Sequence, residues 1–229
     1  MNITILAPHP DDAELAMGGT IALLAATGHT VNLVDMTTGE PTPFGSEEIR
    51  AKEAAQAAAI LGIPRQNAGF KNREVLYSLE ARHRVAALYR QLRPDILFLP
   101  YPHDAHPDHL AVTRIGEDAR FDAKLTKSTI PGNPYYSKRI LYYFCTHLRI
   151  NFPATFSVDI SPFWQKKLAA VNAYQSQFYT GRPPEEAGAV VRYVTTLNQY
   201  FGNTIQRPYA EPFYTIESLG LSSLDGIIT

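Results

Sequence analysis

Cysteine is nearly missing from this chain: Cys145 stands alone among 229 residues. No internal disulfide can form, and a cysteine-type zinc site is excluded. An excess of one charge is missing too, since 21 Lys and Arg face 22 Asp and Glu for a net charge of −1. That balance gives no electrostatic case for nucleic acid or an anionic membrane. No stretch approaches the roughly 18 uninterrupted apolar residues that a membrane-spanning helix needs. The N-terminus has no basic region, and its apolar run breaks at Pro8-His9-Pro10-Asp11-Asp12, so it does not read as a signal peptide. These absences together suggest a cytoplasmic protein. The length suits one α/β domain spanning residues 1–229.

What is present concentrates in two stretches. Ile3–Leu6 is a short apolar run that stops at Pro8 and delivers His9, Asp11, Asp12 and Glu14. This reads as a buried strand and its exit. Pro10 holds His9 out of the helical region, which places His9 and Asp12 on a tight turn rather than in a helix. The second stretch repeats the plan: Asp95–Leu99 stops at Pro100 and leads to His106-Pro107-Asp108-His109. Pro107 reads as the first residue of a helix, with His106 its N-cap and His109 one turn on. Ligands of open α/β sheets bind outside the carboxyl ends of the strands, so the two turns can face each other there.

Strand and helix alternate elsewhere as well. Gly18-Gly19-Thr20 reads as a helix opening that runs to Gly28, Val31–Met36 as the second strand, and Ser46 as the cap of an amphipathic helix reaching Leu61. Gln66–Phe70 follows as a strand, Leu79–Leu92 as a helix, and a helix after His106 runs to about Ala123. Ile140–Phe144 and Phe156–Ile160 read as strands, Ser161-Pro162 as a capped helix start, 185–200 as the last helix, and Phe213–Ile216 as a final strand. The expected architecture is a three-layer α/β/α sandwich with a Rossmann-like, mostly parallel sheet. Tyr135, Tyr136, Tyr142 and Tyr143 read as strand and core aromatics.

Buried histidines and carboxylates at strand ends need a partner, because unpaired buried charge is costly. A divalent metal satisfies them together. His9, Asp12 and one histidine of the second turn make a two-histidine, one-carboxylate set that leaves a coordination position open, the arrangement of catalytic zinc. Ferrous iron accepts the same donors. Asp11, beside Asp12, is then free to act as general base. Whichever of His106 and His109 does not bind the ion is placed to donate a proton or stabilise an oxyanion. Asp108 is able to fix the tautomer of a neighbouring imidazole. Spacing does not choose between the two histidines.

Ala7–Leu15 with Gly18-Gly19-Thr20, together with His106-Pro107-Asp108-His109, resembles the LmbE-like, PIG-L-type zinc de-N-acetylases. The resemblance extends to Phe156–Ser161, Gln175-Ser176-Gln177 and Tyr209–Phe213. It implies zinc (ferrous iron being the other candidate) on His9, Asp12 and His109, with Asp11 as general base. It implies that His106 meets developing charge, that Asp108 orients His106, and that Arg50 contacts sugar hydroxyls, followed by Glu53. Tyr174 falls at a substrate-binding position where relatives more often carry histidine, and Ala105 stands where many bacillithiol-type members carry arginine. The implied substrate is a small N-acetylated amino sugar, and relatives are often trimers or hexamers.

The resulting expectation is a metal-dependent hydrolase that removes the acetyl group from an N-acetylglucosamine-type substrate. Two other classes compete. A nucleotide-binding α/β oxidoreductase is prompted by Asp35, but the first turn offers carboxylates where a pyrophosphate needs glycines. A non-catalytic sugar- or metal-binding protein would have no use for Asp11 and a spare histidine.

Overall fold

The computed structural model describes residues 1–223; residues 224–229 of the expected single domain lie outside them. Strands β1 (Asn2–Ala7), β2 (Thr30–Thr37), β3 (Arg65–Phe70), β4 (Ile96–Pro100), β5 (Arg139–Tyr143), β6 (Phe156–Asp159) and β7 (Ala210–Tyr214) form one sheet in the order β3-β2-β1-β4-β5-β7-β6. The first five strands run parallel, and β7 is antiparallel to both β5 and β6.

Strand residues alternate between the two faces, as the pleat requires. Ile3, Ile5, Ala7 and Leu33 pack into one core, and Leu6, Val34 and Met36 into the other. Helices α1 (Asp12–Ala26), α2 (Glu47–Leu61), α5 (Trp164–Asn172), α6 (Gln175–Phe178) and α7 (Ala189–Thr204) cover the first core. Helices α3 (Leu79–Leu92) and α4 (Pro107–Ala123) cover the second. This is the expected α/β sandwich. The chain leaves β1 toward β2 and β3, then returns to place β4 on the other side of β1. The crevice above the carboxyl ends of β1 and β4 is therefore the switch point where such sheets bind ligands.

Three boundaries differ from expectation, each for a local reason. Helix α1 begins at Asp12 rather than Gly18, and Met17 breaks it with φ −141° and ψ 22°. The free N–H groups of Gly19 and Thr20 at that break donate to the Glu211 carboxylate at 2.9 and 2.7 Å. Lys167 Nζ neutralises Glu211 at 2.6 Å, both side chains being fully buried. Only glycine fits at position 19, where a Cβ would come within 2.6 Å of Ile160. Helix α7 starts four residues late, after Gly188 in the left-handed region, because residues 183–187 close a turn onto the Pro183 carbonyl. Strand β7 starts early, and its Pro212 lies outside the two-residue pairing with β5 where an N–H would be needed.

Candidate metal centre and active site

The turn after β1 is held by its own side chains. The backbone N–H of His9 donates to Asp12 Oδ2 at 2.9 Å, and that of Asp12 returns to the His9 carbonyl at 3.3 Å. Asp11 adopts an unusual backbone, φ 109° and ψ −30°, which a residue with a side chain rarely takes without support. Arg50 on α2 supplies that support: its Nη2 donates to the Pro10 carbonyl and, at 3.0 Å, to Asp11 Oδ2. Glu53, one turn on, accepts from the N–H and hydroxyl of Ser176, both at 2.7 Å. Helix α2 thus ties the first turn to the Gln175-Ser176-Gln177 segment, more than an amphipathic helix alone would do.

The second turn is built as a helix start. Asp104 Oδ1 accepts from the His106 N–H at 2.8 Å, and His106 Nδ1 caps α4 by accepting from the Asp108 N–H at 3.1 Å. That bond places the proton of a neutral His106 on Nε2. One turn along α4, His109 is fully buried.

Three donor atoms converge where the turns meet. His9 Nδ1 lies 3.1 Å from Asp12 Oδ2, His109 Nε2 lies 3.2 Å from the same oxygen, and the two nitrogens are 3.3 Å apart. A four-coordinate zinc with bonds of roughly 2.0–2.1 Å sets its donors about 3.3–3.4 Å apart, so the triangle fits such an ion. The far nitrogen of each imidazole meets a carboxylate: His9 Nε2 is 3.2 Å from Asp108 Oδ2, and His109 Nδ1 is 3.1 Å from Asp104 Oδ2. Carboxylates in this position fix the tautomer and strengthen the imidazole as a ligand.

The electrostatics follow from crowding. Burial opposes charge on His9, yet Asp108 and Asp12 raise it to about 9, and Asp12 likewise holds His109 far above its ordinary range. Burial would raise Asp12, but His109 and His9 keep it well below the usual carboxylate range. These are the protons a divalent cation would displace. Burial pushes the Asp11 carboxyl up to about 7, with Arg50 pulling against it. Burial and then the flanking His9 and His109 push His106 down to about 4.

Two expected placements need correction. Asp108 does not bond the His106 ring; its carboxylate holds His9 and accepts the N–H groups of Arg73 at 2.7 Å and Val75 at 3.3 Å. It sits at the second position of α4, and from there it points back across the turn to β1. Tyr174 is fully buried and donates to Glu14 Oε1 at 2.9 Å, so it presents nothing to a ligand. Tyr142 and Tyr143 are core residues, as expected.

Two residues of the centre escape a reading of the sequence. Asp104 does leave a signal, since it lies two residues before His106. His147, with ring centroids 5.4 and 5.1 Å from His106 and His109, follows β5 in a stretch with no motif. Cys145 also lies close, its thiol within 4.8 Å of ligand atoms of Asp12 and His109. Burial pushes that thiol up to about 12 against the pull of His109, which leaves it protonated and a poor ligand.

Two cavities open on this centre and share Asp11, Asp12, His147 and Gln177. One, of about 240 Å³, is lined by His9, Arg50, Asn72, Arg73 and His106. The other, of about 380 Å³, lies on the side of α6 and α7.

Residues 4–120 match the family model described as GlcNAc-PI de-N-acetylase, PIG-L. The chain belongs to this family. The deacetylase is 30% identical over 91% of its length to the diacetylchitobiose deacetylase of Thermococcus kodakarensis, covering 80% of that protein. Among solved structures it is similar to the conserved protein TT1542 of Thermus thermophilus, with TM-score 0.88, 36% identity, and 96% and 97% of the two chains covered. It is also similar to the N,N'-diacetylchitobiose deacetylase of Pyrococcus horikoshii, with TM-score 0.80, 27% identity, and 93% and 83% covered. Hydrolytic de-N-acetylation is the reaction class, and the oxidoreductase and the non-catalytic binder are set aside.

Proposed function

We propose that this deacetylase is a zinc enzyme acting on a small N-acetylglucosamine-type sugar, cleaving the amide bond that joins the acetyl group to the 2-amino nitrogen. His9, Asp12 and His109 would hold the ion. When bound there, zinc supplies Lewis acidity, polarising the amide carbonyl and lowering the pKa of a coordinated water. Asp11 takes the proton from the attacking water, because it borders both cavities, carries no metal-ligand duty and is poised near neutral pH. His106, neutral with its proton on Nε2, donates a hydrogen bond to the carbonyl oxygen as negative charge builds there. The C–N bond then breaks, and Asp11 returns its proton to the departing amine, leaving acetate and a free amino sugar. Arg50 braces Asp11 and lines the 240 Å³ cavity, with two guanidinium nitrogens, Nε and Nη1, that have no hydrogen-bond partner among the described residues. Those nitrogens are free for sugar hydroxyls.

The observation that carries this reading is the convergence of His9 Nδ1, Asp12 Oδ2 and His109 Nε2 at 3.1–3.3 Å with Asp11 left over beside them. The test is acetate release from N-acetylglucosamine glycosides by protein stripped with chelator and reloaded with zinc or, anaerobically, ferrous iron. Activity restored best by zinc supports the reading, and activity indifferent to chelation refutes it. A single domain over 1–229, a cytoplasmic location and a homotrimer or hexamer belong to the same proposal. No helix among the described residues is long and apolar enough to cross a membrane. The exposed Leu76, Tyr77 and Leu79 supply apolar surface for self-association, which light scattering at micromolar concentration checks.

A further inference from the structure

Of the two cavities at the metal centre, only the smaller is spoken for by the chemistry above. We propose that the 380 Å³ cavity between α1, α6 and the start of α7 seats a second ring of the substrate, a neutral polyhydroxylated unit joined to the sugar whose acetamide is cut. The inference rests on the reaction proposed above and goes beyond it by naming what the sugar is attached to.

Size is the first argument. Small-molecule sites hold roughly 300–1,000 Å³, and the 240 Å³ cavity by itself falls short of that range. The two cavities meet at Asp11, Asp12 and Gln177, so one molecule can occupy both while its amide lies at the metal centre. Acetyl is far too small to be the intended occupant of the larger one.

Lining is the second argument. Leu15, Phe178 and Val190 give an apolar floor, and Gln177, Arg182 and Glu186 give a hydrogen-bonding rim. A pyranose or cyclitol offers that same division, with C–H groups on its faces and hydroxyls around its edge. The wall is also built in advance. Arg182 Nε and Nη2 both donate to the Gln177 carbonyl, at 2.9 and 2.6 Å, and the Gly188 N–H ties the loop back to the Phe178 carbonyl at 2.7 Å.

Charge decides between neutral and anionic partners. The Arg182 guanidinium in the cavity has two of its three nitrogens committed to Gln177, while Glu186, Asp11 and Asp12 all face the same space. A carboxylate-bearing unit would meet more negative charge than it could pair with.

The experiment compares three substrates on the zinc-loaded enzyme: N,N'-diacetylchitobiose, methyl N-acetylglucosaminide and N-acetylglucosaminyl malate. The expected kcat/KM for the disaccharide exceeds that for the methyl glycoside by about tenfold, the worth of one or two hydrogen bonds, and the malate conjugate gains nothing. Val190→Trp, which fills the cavity, should erase the disaccharide's advantage while leaving the methyl glycoside within about twofold of wild type. Glu186→Ala, on the exposed wall, should cut the same advantage severalfold without touching the packed floor. Equal wild-type rates on disaccharide and methyl glycoside, a preference for malate, or variants that slow both neutral substrates alike would overturn the second-ring seat alone. Release of acetate from none of the three would overturn the reaction and the seat together.

Discussion

Asp11→Asn separates the chemistry of the site from its architecture. Asparagine matches aspartate in shape and is among the residues that best tolerate a positive φ, so the backbone at φ 109° should survive the change. Its amide oxygen still accepts from Arg50 Nη2, which now lies 3.0 Å from the carboxylate. What is lost is proton transfer, worth about 10²–10⁴ in rate. The expected variant therefore binds zinc at the wild-type ratio, measured by elemental analysis, and releases acetate at least about a hundredfold more slowly. A second readout runs in the opposite direction. The folded Asp11 carboxyl is raised from 3.8 to about 7 by burial. A folded pKa above the unfolded one means stability that is present below about pH 4 and drains away as pH climbs through about 7. Three pKa units set a ceiling of about 4 kcal/mol; with the Asp11 side chain 13% exposed and paired to Arg50, about 1–2 kcal/mol is the realistic share. Metal-free Asp11→Asn should then resist urea better than metal-free wild type at pH 8, and the two should converge near pH 4. A variant that keeps more than about a tenth of wild-type turnover would refute the base assignment. One that loses its zinc would show that Asp11 helps hold the ion.

Arg50→Lys should lower kcat about tenfold or more with little change in KM if the brace on Asp11 dominates, since an ammonium cannot replace the fork that spans Pro10 and Asp11; steady-state kinetics give the split, and a rise in KM alone would mean that hydroxyl contacts dominate. Asp104→Asn should weaken zinc affinity about 10–100-fold while leaving the ligand set intact, read by competition with a chromogenic chelator. Lys167→Met should destabilise the fold by about 3–5 kcal/mol, because Glu211 is left buried and charged at the break in α1; denaturant titration measures it, and an unchanged midpoint would mean that Glu211 takes up a proton at little cost.

Much of the site is legible in the sequence because chemistry-bearing residues lie within a few positions of two proline-marked strand ends. Pro8 and Pro10 stop β1, Pro107 starts α4, and the parallel pairing of β1 with β4 brings the two ends together. The helices with ordinary caps are also readable: Ser46 and Gly62 bracket α2, and α3 runs from Leu79 to Leu92 as its periodicity requires. The later boundaries are not. The restart of α1 depends on Glu211, 192 residues from the N–H group it accepts from, and no local signal carries that.

The pairing of acids with histidines is the harder case. Asp104 and Asp108 stand two residues on either side of His106, so spacing ties both to it equally. Three-dimensional placement gives them to other rings: Asp108 reaches back to His9, and Asp104 reaches forward to His109. His106 is left with the backbone N–H of Asp108 on Nδ1 and no carboxylate on its ring. That exchange has a chemical consequence. A carboxylate on His106 would favour the imidazolium, whereas a backbone donor on Nδ1, with His9 and His109 alongside, favours a neutral ring whose proton sits on Nε2. The two imidazoles that would hold the ion are made stronger ligands by their acids. The third, denied one, stays a neutral hydrogen-bond donor toward the oxygen where charge develops, which leaves Asp11 as the one group in the cleft able to take and return a proton near neutral pH.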